Sequence, residues 1–162
     1  WNTRSVAHCL AKKWWVTGVA AAEERNGVEL EGILVLQGAK GLGKTLWFKR
    51  LCDYNKGWLL EGATLNPSDK DSVKRAVSHW IVELGEIEST FKKSDIDQLK
   101  AFVTSKSDEL RLPYERAFTT YQRRTAFYAS CTAREILTQP SGHRRIWVIA
   151  VQGINANTRH NT

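Results

Sequence analysis

The sequence predicts an α/β fold in which helices flank a central parallel sheet of five strands. Three observations predict it. Five short apolar runs, each bounded by glycine, proline or polar residues, recur along the chain. Between them lie stretches with apolar residues at helical spacing, the kind of connection that parallel strands need. The first run also passes through a glycine-rich loop directly into a helical segment, a strand–loop–helix unit typical of such sheets. At 162 residues the chain is long enough for one domain with a sizeable core.

Residues 3–24 read as a helix, with Val6, Leu10, Trp14 and Trp15 recurring near i, i+4 and i+8 and both tryptophans assigned to the core. Asn26-Gly27 signals the turn that ends this N-terminal helical segment, residues 1–27. Residues 33–36 form the first strand, residues 44–51 a helix, and residues 53–57 a loop. Residues 58–60 are a short second strand. After the turn at residues 65–69, Ser68 or Asp69 caps a helix through residues 71–77. Residues 79–86 carry the third strand, and His79 is read as an ordinary surface or core histidine. Ser94 caps the next helix, whose buried face is Ile96, Leu99, Phe102 and Val103. Residues 108–124 alternate too irregularly for a helix and suggest a hairpin or a β-extension. Residues 125–130 and 146–150 supply the last two strands. The core therefore spans residues 1–151. Residues 152–162 form a polar tail without periodicity, read, like the Trp1 start, as the cut end of a longer chain.

The glycine loop is Gly38-Ala39-Lys40-Gly41-Leu42-Gly43-Lys44-Thr45, which fits the P-loop pattern G-x-x-x-x-G-K-[ST]. The first turn of a helix leaves backbone N–H groups without partners and carries the positive end of the helix dipole, so it attracts phosphate. The glycines let the backbone curl with its N–H groups inward. In that setting Lys44 reaches the β- and γ-phosphate oxygens of a nucleotide such as ATP, and the Thr45 hydroxyl ligates Mg²⁺. The third strand ends in two acids, Glu83 and Glu86. In P-loop ATPases the neighbouring strand delivers one carboxylate to the metal shell and a second polarises the attacking water. Glu83 takes the metal role and Glu86 the water role, with the exchange of the two left open.

The net charge is +7, and its distribution is uneven. Residues 111–162 hold eight arginines, no lysine and two acids, which accounts for +6 of it. Such a basic half suits contact with polyanions, as an alternative to a merely solvated surface. Lys92 and Lys93 lie in a loop, and Arg111 and Arg116 lie among the tyrosines and phenylalanine of residues 108–124; these are the candidate DNA contacts. Three widely spaced cysteines make neither a disulfide framework nor a zinc pattern, and a reducing cytoplasm is the expected setting. No apolar run is long enough to cross a membrane.

The chain also resembles a known family, that of virulence-associated protein E from phages and mobile genomic islands, which is similar to superfamily-three helicases of the AAA+ class. The resemblance rests on residues 38–45, on Trp80-Ile81-Val82-Glu83-Leu84-Gly85-Glu86, and on Leu99-Lys100-Ala101-Phe102 with Asp108, Arg111 and Pro113-Tyr114. It continues through Arg124 into Phe127-Tyr128-Ala129-Ser130, and ends on Gly142-His143-Arg144-Arg145-Ile146-Trp147. It implies an ATP-driven DNA-unwinding motor in the bacterial host cell, a homo-oligomeric ring such as a hexamer acting on single-stranded or forked DNA, often joined to a primase region. It also implies an arginine finger, Arg144 or Arg145, that reaches the ATP of a neighbouring subunit and is worth roughly 10³–10⁵ in rate. The family's fourth core strand usually ends in a polar sensor, most often Asn. Here Thr132 takes that place, with a shorter reach than an amide and one donor instead of two. Two other readings therefore stay open: a nucleotide-gated DNA-binding module that scarcely hydrolyses ATP, and a small P-loop kinase.

Overall fold

The computed structural model describes residues 3–55, 57–85, 93–110, 117, 119–132 and 145–153. Helix α1 spans Thr3–Glu23, followed by strand β1 (Ile33–Gln37), helix α2 (Lys44–Leu51), strand β2 (Leu59–Ala63), helix α3 (Lys70–Val77) and strand β3 (Ile81–Leu84). Then come helix α4 (Lys93–Val103), strands β4 (Ser107–Leu110) and β5 (Thr119–Gln122), and strands β6 (Ala126–Cys131) and β7 (Ile146–Ala150).

Five of these strands form one sheet in the order β2-β3-β6-β1-β7. Every neighbouring pair is parallel. β4 and β5 pair separately as an antiparallel hairpin, with Ser107 opposite Gln122 and Leu110 opposite Thr119. The five-stranded parallel sheet and the hairpin both match the expectation from sequence.

The central strands are buried on both faces, which is why β1 opens on an unbroken apolar run and β3 interrupts its own only at Glu83. Alternate residues divide the core in two. Leu34, Leu36, Ile81, Ala126 and Tyr128 pack with Trp14 of α1 and Phe48 of α2. Ile33, Val35, Val82, Phe127 and Ala129 pack with Ala76 of α3 and with Leu99 and Val103 of α4. Trp14 fills its core position and donates its indole N–H to the Phe127 carbonyl at 2.8 Å. Trp80 donates its own to the Gly18 carbonyl at 2.8 Å, a second tie between α1 and the sheet.

Several local expectations are met and some are corrected. Asp69, not Ser68, caps α3, its side chain accepting from Asp71 N at 3.1 Å. Val6 does not join the core: it is 41% exposed, because α1 meets the sheet only further along its length. β2 runs on to Ala63 instead of stopping at Leu60, with a register shift between Leu60 and Ala63. Gly62, at a φ of 59°, allows that irregularity. α4 begins at Lys93, so Ser94 lies inside the helix rather than at its cap.

Arg123, an arginine of the basic half of the chain, packs inward and is 1% exposed. Its guanidinium pairs with the Asp108 carboxylate, donates to the Phe102 carbonyl at 3.0 Å and lies 4.2 Å from the centre of the Phe102 ring. It therefore fastens the hairpin to α4.

Candidate functional site

The glycine loop joins the carboxyl end of β1 to the amino end of α2, the edge where open parallel sheets bind ligands. Its backbone needs glycine. Gly41 and Gly43 have φ values of 88° and 79°. A Cβ on Gly38 would lie 2.3 Å from the Val151 carbonyl oxygen. Gly43 is the N-cap of α2 and offers no side-chain bond, so no cap side chain competes for the N–H groups of the first turn. No acid lies in that turn either.

Lys44 is buried at the start of α2. Its Nζ donates to the carbonyls of Gly38 and Ala39 at 2.7 and 2.8 Å, so the ammonium is held inside the curl of the loop. Thr45, the next residue, donates its hydroxyl to Glu83 Oε1 at 3.0 Å. Ser130 donates to the same oxygen at 2.9 Å. Glu83, buried in β3, is thus the meeting point of three elements: the loop–helix junction, β3 and β6. Lys40, Gly41, Leu42, Gly43, Lys44, Thr45 and Leu46 line a cleft of about 450 Å³ with Ser130, Cys131 and Thr132. Thr132 follows directly on the last residue of β6.

The strand pairing explains the cluster. Glu83 stands opposite Tyr128 in register, so the two side chains leave the sheet on the same face, and Ser130 follows two residues on. The Tyr128 ring stacks on Phe48, with centroids 3.4 Å apart and planes 20° from parallel. Burial, and then the nearby Glu83 carboxylate, push its phenol well above the usual range. Its hydroxyl is buried and makes no well-aligned hydrogen bond among the described residues, an arrangement that costs about 1–3 kcal/mol.

The oxygen set suits a hard divalent cation. Magnesium is commonly held by one or two protein oxygens together with waters and phosphate oxygens, rather than by a cage of side chains. The Thr45 hydroxyl and the Glu83 carboxylate provide such a pair beside the loop. Among the described residues there is no group of three or more His, Cys, Asp or Glu that could hold a metal by themselves.

Arg145 lies elsewhere. Its carbonyl accepts from Ile33 N at 2.8 Å, at the start of β1 and β7, the end of the sheet opposite the glycine loop. It lines a separate cleft of about 390 Å³ with Leu10, Lys13, Glu29, Glu31, Thr104 and Trp147. Glu86, Lys92, Arg111, Arg116 and Arg144 lie outside the described residues; Lys93 opens α4. Ser130 enters the sequence reading only within the segment Phe127-Tyr128-Ala129-Ser130 that carries the family resemblance. Its bond to Glu83, and the place of Tyr128 beside them, depend on a strand register that no local pattern encodes.

The model of the virulence-associated protein E-like domain matches residues 2–162. The chain belongs to that family. Solved structures of the NrS-1 C-terminal region are similar to this VapE-like domain in fold. The A form apo structure superposes with a TM-score of 0.57 at 14% identity, covering 99% of this chain and 40% of that one. A second A form apo structure gives 0.55 at 14% identity, covering 98% and 40%. A further apo structure gives 0.54 at 13% identity, covering 99% and 40%. The domain thus spans about two fifths of the length of the structures it matches. A comparison with curated proteins found no match.

Proposed function

We propose that this VapE-like domain is the ATP-hydrolysing motor of a DNA replication protein of a phage or mobile element, with the P-loop NTPase fold of AAA+ proteins. The observation that carries the reading is the convergence of Thr45 and Ser130 on the buried Glu83 directly beside the glycine loop. A chance glycine turn would have no reason to set a buried carboxylate there.

In this reading residues 38–45 wrap the β- and γ-phosphates of ATP with their N–H groups, and Lys44 exchanges its two loop carbonyls for phosphate oxygens. Thr45 and Glu83 hold Mg²⁺, which neutralises charge on the phosphates when bound. Glu86 orients the attacking water, and Thr132 senses the γ-phosphate from the end of β6. Arg145 stands too far around the sheet to serve its own loop, which suits a finger acting on a neighbouring subunit's nucleotide in a homo-oligomeric ring. Lys92, Lys93, Arg111, Arg116 and the basic half of the chain suit a polyanion such as single-stranded or forked DNA.

One observation favours a second reading, a nucleotide-gated DNA-binding module with little turnover: a threonine, not an amide, follows β6 at the cleft. Binding and hydrolysis of Mg²⁺·ATP by the wild type and by Lys44→Ala test the proposal. Loss of binding in the variant is expected. Equal binding by both overturns the assignment of the loop, whereas ATP-dependent assembly without phosphate release favours the second reading.

A further inference from the structure

We infer that Tyr128 is a positioning residue for Glu83, holding its carboxylate in the orientation that takes up Mg²⁺. The inference rests on the functional reading above and extends it to a residue to which the sequence reading gives no role at the site.

Three observations carry it. The Tyr128 hydroxyl is buried close to the Glu83 carboxylate and makes no well-aligned hydrogen bond among the described residues, whereas buried hydroxyls are nearly always bonded. Tyr128 stands directly opposite Glu83 in the parallel pairing of β3 and β6, on the same face of the sheet. The ring is fixed in place, stacked on Phe48 and met edge-on by Trp14 at 6.3 Å, so the hydroxyl cannot swing out to solvent.

The two donors that Glu83 has now explain what the phenol is for. Thr45 and Ser130 both donate to Oε1. A hydroxyl that ligates a metal does so through a lone pair and keeps its O–H, so Thr45 can bind the ion and still donate to Glu83. Both bonds fall on Oε1, on the side of Thr45 and Ser130, and neither holds the carboxylate from the core side. The phenol O–H, free to rotate about its C–O bond, supplies a donor from within the core. Together, Ser130 and Tyr128 leave one carboxylate oxygen aimed at the cleft. Outer partners of this kind fix the orientation of a metal-binding carboxylate, and their loss typically costs roughly 10–100-fold in metal affinity.

A phenol kept for this purpose is a burden in the ligand-free protein and an asset in the loaded one. Tyr128→Phe separates the two, because it removes the hydroxyl and retains the stacked ring. The experiment measures the thermal midpoint of the ligand-free variant and the binding of a fluorescent ATP analogue, first in EDTA and then over a magnesium titration. The expected result is an unchanged or raised midpoint, nucleotide binding in EDTA equal to wild type within about twofold, and a magnesium requirement raised roughly tenfold or more. A magnesium requirement within about twofold of wild type overturns the inference, as does a lowered midpoint with weakened binding in EDTA, which would mark the hydroxyl as structural. If wild type itself binds no nucleotide under any condition, the functional reading fails, and this inference with it.

Discussion

At the scale of single residues, Lys44 and Glu83 divide the work of the site by their bonds. Among the described residues Lys44 is tied only to backbone carbonyls of its own loop, so Lys44→Ala should leave the fold intact. It should weaken Mg²⁺·ATP binding by about 2–3 kcal/mol, roughly 30- to 150-fold, as measured by titration calorimetry. The cysteines give a second test. Cys9 is exposed, whereas Cys52 and Cys131 are buried. Burial pushes the Cys52 thiol from 9.0 up to about 11. Between those values the unfolded chain has released a proton that the folded chain retains, so stability should fall as pH rises from about 9 to about 11. Denaturant midpoints measured across that window check the sign, and Cys52→Ala should flatten the slope. Native alkylation near pH 8 should label Cys9 alone. The glycine pattern and both key side chains were legible in the sequence because the loop is a local motif. Tyr128 was not, because a core tyrosine on a strand looks the same whether or not its hydroxyl is satisfied.

At the scale of elements, the hairpin depends on one buried ion pair. Arg123 leaves the end of β5 and reaches Asp108 of β4, Phe102 of α4 and the Phe127 ring of β6. Removing one partner strands a buried charge, so Asp108→Ala should cost about 3–5 kcal/mol in chemical denaturation. Replacing both by apolar residues should cost far less. Equal losses in the single and double variants would contradict this account of how the hairpin is held. Sequence alone indicated a hairpin here, because the alternation of residues 108–124 fits no helix. It did not separate an inward arginine from its solvated neighbour: Arg123 and Arg124 are adjacent in the link between β5 and β6, yet the first is buried against Asp108 and the second is exposed. The end of β2 was hidden for a similar reason. Glu61 and Gly62 look like loop residues, yet the strand continues through an irregularity at which Gly85 packs close to the Gly62 backbone.

At the scale of the whole molecule, the order β2-β3-β6-β1-β7 puts the glycine loop, Glu83 and Thr132 at one end of the sheet and Arg145 at the other. That separation makes a prediction about assembly. Arg145→Ala should leave nucleotide binding by the isolated domain unchanged and impair turnover only in assembled protein. Mixing it with Lys44→Ala should restore part of the activity, and a mixture no better than its components would exclude action between subunits through this arginine. The parallel sheet was legible because each strand carries a short, mainly apolar run, but the strand order was not, since it is set by crossovers that join distant segments. Among the described residues, no helix is long and apolar enough to cross a membrane. The measurement that tests the central claim most directly is phosphate release from ATP, with and without single-stranded DNA, by the wild type and by Glu83→Gln. The account predicts hydrolysis that DNA stimulates and that the variant loses while its fold survives. Hydrolysis unaltered in Glu83→Gln would contradict it.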